Sequence, residues 1–267
     1  VRRLLITGLL VLSLSGCGIV TLQVGDGQEG AVNAGRTGEA GQGDGGARLG
    51  EVEPGVLKGR VVDQAGQPIA GATIFADNQL LYNSNAIGTT DADGYYRVET
   101  PGSFTFHASG QVKRQLDGQE YVLDLEPDSD EPFAGPTGAI RNFTWKLAGP
   151  KANGQGHHGG SVLFYFGLDG ANSNVFLEDE KVTLTLAPEG PLIDGSAGET
   201  LSVQAQRTPD GSGVQGVPIG RYRITASYEG SPLRIRLRNT GEYASEVVAG
   251  FSGVVTGVYQ IELEVTP

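Results

Sequence analysis

The sequence is short of the residues from which most active sites are built. Its 267 residues include no methionine, one cysteine, one tryptophan and three histidines. A single cysteine excludes an internal disulfide, so the lone thiol needs its own explanation. Catalytic zinc takes histidine and carboxylate ligands with a base beside them, and His107, His157 and His158 offer little toward such a set. The sequence contains no His-Glu-x-x-His and no Gly-x-Ser-x-Gly turn, and no glycine-rich run followed by lysine and serine or threonine at phosphate-binding offsets. An enzyme is therefore not expected, nor is a cofactor or a resident metal. Positive charge is scarce as well: 19 Lys and Arg face 31 Asp and Glu, for a net charge of −12. Nucleic acid is excluded as a partner, because binding it requires a basic surface that displaces phosphate counterions.

Long apolar runs are also missing. The longest, Leu4 to Leu14, falls short of the roughly 20 residues a membrane span requires. With Arg2 and Arg3 before it and small residues after it, residues 1–16 read as an export signal. The segment Leu14-Ser15-Gly16-Cys17 resembles the bacterial lipobox over all four positions. That resemblance implies cleavage before Cys17, diacylglycerol on its sulfur and a further acyl group, such as palmitate, on the new amino terminus. Two or more chains anchor durably, since each buried CH₂ contributes about 0.8 kcal/mol and one chain binds only marginally. The expected partner is a membrane, in the cell envelope. Gly18, in place of the aspartate that commonly holds lipoproteins in the inner membrane, points to the outer membrane if the source is Gram-negative.

Residues 17–53 follow as a lipidated linker. Between Gly25 and Gly50 the only large aliphatics are Val32 and Leu49, too few to offset the entropy of ordering the segment. It reads as a disordered glycine-rich tether with a reach of about 30 Å.

Beyond it, short alternating segments separated by turn residues predict an all-β chain with two β-sandwich domains, immunoglobulin- or transthyretin-like, over 54–126 and 138–267. The acidic, proline-bearing stretch 127–137 reads as the linker between them. In the first domain, Gly59-x-Val61 with Asp63, Gly66-x-Pro68-Ile69-x-Gly71-Ala72, Thr90-Asp91-x-Asp93-Gly94-x-Tyr96 and Pro101-Gly102-x-Phe104 resemble the carboxypeptidase regulatory-like domain. The resemblance implies a seven-stranded transthyretin-like sandwich whose glycines and prolines form turns and are not catalytic. In the second domain seven segments have strand character. Gly220 to Ala226 echoes Gly102 to Ala108 in its pattern of glycine, aromatic, apolar residue and alanine.

Several clusters are candidates for binding. Arg221 and Arg223 share one face of a segment, and Arg234, Arg236 and Arg238 share one face of the next. If the two strands pair, five guanidinium groups line one surface fit for carboxylate or phosphate. Alternatively Glu242, Glu246, Glu262 and Glu264 neutralise them across strands, which the acid excess favours. His157-His158 in a polar loop could ligate a transition metal, and Asp91-x-Asp93-Gly94 or the acids from Asp124 to Glu131 a calcium ion. Neither shows the full ligand spacing. Most aromatics fall on inward positions, which suits a core better than a sugar-stacking platform. The expected function is a non-enzymatic envelope lipoprotein presenting β domains to unidentified envelope proteins, with polysaccharide binding as the alternative.

Overall fold

In the computed structural model, residues 49–167 and 177–267 are described. The expected signal at 1–16, the lipidation site Cys17 and the tether as far as residue 48 lie outside the described residues. Apart from a 3₁₀ turn at Asp179–Lys181, the named elements are all strands. The all-β expectation holds. No helix of the described residues is long and apolar enough to cross a membrane.

The first β region comprises β1 (Val56–Asp63), β2 (Thr73–Asn78), β3 (Ala86–Thr89), β4 (Tyr95–Glu99), β5 (Thr105–Leu116), β6 (Gln119–Asp124), β7 (Glu126–Pro127), β8 (Phe133–Ala134), β9 (Ala139–Ile140) and β10 (Phe143–Trp145). They form two sheets, ordered β4-β1-β10-β7 with β9 also on β1, and β3-β2-β5-β6 with β8 on β5. Alternation decides which side chains meet between the sheets. Leu57, Gly59 and Val61 point inward from β1, and Ile74 and Ala76 from β2, while Phe106, Ala108 and Val112 do so from β5. Each large side chain buried there contributes about 1.5–3 kcal/mol.

Two glycines mark places where no side chain fits. A Cβ on Gly59 would collide with the carbonyl oxygen of Arg141, because residues 139–143 cross close over β1 and the Arg141 N–H donates to Lys58 O. Gly94 has φ +80°, and a Cβ there would run into Val61 O. The turn before it is tied by Asp91, whose Oδ1 accepts the Asp93 and Tyr95 N–H groups at 2.9 Å each.

The division between the two regions differs from the expected linker at 127–137. β7, β8, β9 and β10 all pair with strands of the first region: β10 runs parallel to β1 from Val61↔Phe143 to Asp63↔Trp145, and β8 pairs β5 at Phe106↔Phe133. These pieces are two or three residues long, too short for a period of two to register in the sequence.

A small hairpin, β11 (Gly149–Pro150) with β12 (His157–His158), leads into the second region. There β13 (Gly160–Phe166), β14 (Val182–Pro188), β15 (Leu201–Gln204), β16 (Gln206–Thr208), β17 (Gly211–Val217), β18 (Arg221–Tyr228), β19 (Ser231–Leu237), β20 (Thr240–Ala244), β21 (Val247–Gly250), β22 (Ser252–Val255) and β23 (Val258–Thr266) form one eleven-stranded hydrogen-bonded sheet. β19 connects its two parts. It pairs with β18 only from Ala226↔Leu233 to Tyr228↔Ser231, then with β23 from Arg234↔Thr266 to Leu237↔Leu263. β13 lies parallel to β23 over six residue pairs, Ser161↔Gln260 to Phe166↔Val265.

The two regions meet through side chains as well as chain. The Tyr121 hydroxyl donates to Phe251 O at 2.9 Å, the Val122 N–H donates to the Tyr259 hydroxyl at 2.6 Å, and the two tyrosine rings lie 4.8 Å apart. One hydrophobic cluster runs from Leu57 through Tyr121 to Val265. At the opposite pole of the first region, Thr100 N–H donates to Gly55 O, Gly135 N–H to Phe104 O and Gln79 N–H to Thr105 O. The chain therefore enters β1 at the pole away from the second region. Arg114, the partner of Tyr121, lies nine positions along β5 from Thr105, a span of about 30 Å.

Candidate functional site

The five arginines do not line one face, although Arg221 and Arg238 border one hollow with Glu262. Because β19 leaves β18 after three residue pairs, Arg221 and Arg223 border β21, whereas Arg234 and Arg236 border β23. Most of the guanidinium groups are also engaged. Arg223 pairs with Glu189 at 2.6 Å and with Glu246. Arg236 meets Glu264 at 2.5 Å and lies over the Tyr243 ring, and Arg238 meets Glu262 at 2.8 Å over the Tyr165 ring. Arg234 donates to Tyr243 O at 2.9 Å. Arg221, with Asp117 at 4.0 Å, is the most loosely held of the five. Of the acids named as alternatives in the sequence, Glu246, Glu262 and Glu264 take this part. Burial acts to raise the Glu264 carboxyl, but hydrogen bonds from Arg236, the Asn239 N–H and Tyr243 outweigh it and hold the group below the ordinary carboxylate range.

The two loop histidines have separated roles. His157 is exposed on β12, while His158 is 4% exposed, with Nε2 2.6 Å from Glu126 Oε2. Glu126 is itself buried and accepts the Ala152 N–H at 2.7 Å, with Lys146 Nζ at 3.7 Å. Burial pushes the Glu126 carboxyl up, but His158, the Ala152 N–H and the Lys146 charge together hold it below its usual range. The pair joins the β11–β12 hairpin to β7. Among the described residues, no three His, Cys, Asp or Glu side chains gather where they could hold a metal ion. Asp91 caps its turn as described, and His107 pairs with Asp130 at 2.8 Å.

A concave site forms where acids the sequence offered only as calcium ligands, Asp124 to Asp130, meet a strand face it did not single out. On the outer face of the β2–β5–β6 sheet, a cleft of about 450 Å³ has Phe75, Ser109 and Gln111 among its lining residues and is walled by residues 124–130 and 151–153. Its acids are fixed in place. Lys151 Nζ lies 2.6 Å from Asp124 Oδ2 and Asn142 Nδ2 donates to Asp128 Oδ2 at 2.9 Å, while Ser109 on the floor is held by Asp77, outside the lining, to whose Oδ2 its Oγ donates at 2.6 Å. One aromatic ring beside oriented acceptors suits a neutral ligand with an apolar face and hydroxyl donors, and the surplus of carboxylates disfavours anions. The sequence signal for it was weak. Phe75 is an outward aromatic on a strand of otherwise ordinary alternation, and the walls come from residues about 50 and about 75 positions further along. The aromatics considered as a sugar platform mostly lie elsewhere: Tyr96, Phe106, Trp145 and Phe164 are buried in the core.

No curated protein matches the chain. Among solved structures, similarity extends to the Bacillus anthracis TIE protein, at 13% identity and TM-score 0.31, with 79% of this chain and 34% of that one covered. The chain thus spans about a third of that protein's length. A C-terminal fragment of the pilus adhesin SpaC from Lactobacillus rhamnosus GG superposes at 11% identity and TM-score 0.24, covering 79% of this chain and 97% of the fragment. A streptococcal ancillary pilin does so at 12% identity and TM-score 0.22, covering 79% and 69%. In the first β region, residues 56–128, which include the turns at Asp63–Gly66 and Asp91–Gly94, match the carboxypeptidase regulatory-like domain.

Proposed function

We propose that the protein is a non-enzymatic envelope lipoprotein, attached through acylated Cys17, whose two β regions act as a stiff display body for contacts with other envelope proteins. The observation that carries this reading is the polarity of the described body. The chain comes in at one pole of the first region, and the second region packs against the other through Tyr121, Phe251 and Tyr259. An anchor upstream of Leu49 joins the body through the first region, and confinement near the bilayer raises its effective concentration for partners in the same layer. The carboxypeptidase regulatory-like match at 56–128 supports a binding or structural role over catalysis.

The test is cross-linking in intact envelopes, comparing the wild-type chain with Cys17→Ala. Specific envelope proteins recovered with wild type and lost with Cys17→Ala are expected. Equal recovery by both chains, or none by either, would overturn anchored display. A second reading, binding of a neutral polysaccharide, is favoured by the cleft over Phe75. It predicts retention of soluble polysaccharide that Phe75→Ala abolishes without changing the unfolding midpoint.

A further inference from the structure

The exposed large apolar side chains of the described residues are gathered in two places. Val254, Val255 and Val258 sit on the β22–β23 hairpin, and Val52, Leu80, Leu81 and Tyr82 sit near the pole where the chain comes in, with Ile87 close by on β3. The second group is the more exposed. Leu80 is 75% exposed, and Tyr82 is fully so.

Specific bonds hold the loop in this form. Asn78 Oδ1 accepts the N–H groups of Leu80 and Leu81 at 2.9 and 3.0 Å, Gln79 N–H donates to Thr105 O, and Asn83 takes a left-handed conformation at φ 55°. A hollow of about 280 Å³ bordered by Phe104 and Phe106 opens beside the loop, yet Leu80 and Leu81 project into solvent. From residue 77 to 87 there is no lysine or arginine, and Asp77 is the only acid. The tip is convex, apolar and nearly uncharged.

We infer that the Leu80-Leu81-Tyr82 loop is a second membrane contact, inserting into the interfacial layer of the bilayer to which Cys17 is anchored. The nearness of a bilayer rests on the lipoprotein reading; the insertion itself rests on the loop. A protein partner would need a pocket shaped to a convex tip, whereas an acyl layer deforms around it, and tyrosine beside leucine suits the headgroup boundary. The described chain begins at this same pole, close to Gly55, so the loop stands at the end of the body from which the chain continues toward Cys17. With no basic residue at the tip, attachment follows the hydrophobic effect and requires neither anionic lipid nor low salt. Three side chains give weak binding by themselves, and acylation supplies the local concentration at which weak binding counts.

The test uses the full chain carrying Tyr82→Trp, recovered from envelopes and placed in phosphatidylcholine vesicles with brominated acyl chains, with the mass of the peptide containing Cys17 measured in parallel. Trp145 is buried and serves as the internal reference. The expected result is quenching of the added tryptophan that is unchanged by salt and falls several-fold on adding Leu80→Ser and Leu81→Ser, while Val254→Trp on the far hairpin keeps its emission. Acylated Cys17 together with an unquenched loop tryptophan would overturn the inference and leave the anchor standing. Quenching without acylation would support the loop contact and remove the anchor. A blue shift that grows with protein concentration in the absence of vesicles would assign the tip to a second copy of the chain and overturn the inference. An unfolding midpoint equal to wild type in each variant excludes misfolding as the cause.

Discussion

The two β regions solve the same problem of burying alternate strand faces, but by different means. The first does it with two separate sheets whose turns are tied locally: Asp63 Oδ1 accepts from Ala65 and Gln67, and Asp91 Oδ1 from Asp93 and Tyr95. The second does it with one continuous sheet in which β19 changes partner midway and β13 pairs with β23 about a hundred residues later. Local turns fix geometry from a few adjacent residues, while long-range parallel pairing depends on the whole chain being in place. The surfaces differ accordingly. The second region neutralises its arginines against acids on other strands, and the first leaves an apolar tip and a cleft open.

The largest expected effect concerns where the first region ends. Phe143 is 1% exposed and packs against Tyr96 with ring centroids 6.1 Å apart, although it belongs to a segment whose sequence position suggested the second region. Phe143→Ala is expected to cost about 3–5 kcal/mol, read by urea unfolding followed through Trp145. A cost below about 1 kcal/mol would return β10 to the second region. Next comes the coupling between regions. Tyr121→Phe leaves Phe251 O without its donor and is expected to cost about 1–3 kcal/mol and to broaden or split a single unfolding transition. An unchanged, single transition would mean that the regions are coupled by the chain and the apolar cluster alone.

Acid should act at both the junction and the second region. Glu126 and Glu264 have folded-state carboxyls held below their ordinary range, so their contribution is complete above the unfolded value of about 4.3 and is lost as pH falls through the lower folded values. The expected outcome is stability falling as pH drops below about 4, with a shallower fall in Glu126→Gln. An identical pH profile in wild type and variant would remove the buried pair from the account. The smallest effect belongs to the arginines. Arg223, 42% exposed at its side chain, is expected to leave the unfolding midpoint almost unchanged when changed to alanine, with any difference fading at high salt. Loss of polysaccharide or partner binding in that variant would revive the arginine surface as a site.

This contrast also explains what the sequence made legible. The strands flanked by tied turns, Val56–Asp63 and Tyr95–Glu99, fall where alternation and the Asp-x-Asp-Gly turn put them. β3 carries little sequence signal because Ala86-Ile87-Gly88-Thr89 is short and keeps Ile87 in solvent, and β17 carries little because Gly211, Gly213 and Gly216 mask its alternation. The echo between Gly102–Ala108 and Gly220–Ala226 corresponds to shared inward positions, Phe106 and Ala108 in one strand, Ile224 and Ala226 in the other. The arginines were legible as alternating residues, but their assembly required a register between β18 and β19 that long-range pairing to β21 and β23 overrides. The acids of the cleft were legible as a cluster, but the cleft was not, because its floor and walls come from distant segments. The apolar tip was visible only as three adjacent residues, whose exposure depends on the cap that Asn78 provides.

The measurement that tests the central claim most directly is the mass of the N-terminal peptide of the mature protein taken from the envelope fraction. The account predicts a peptide that begins at Cys17 and carries diacylglycerol and a further acyl chain. A peptide that runs uncut through Ser15-Gly16-Cys17 with a free thiol would contradict it.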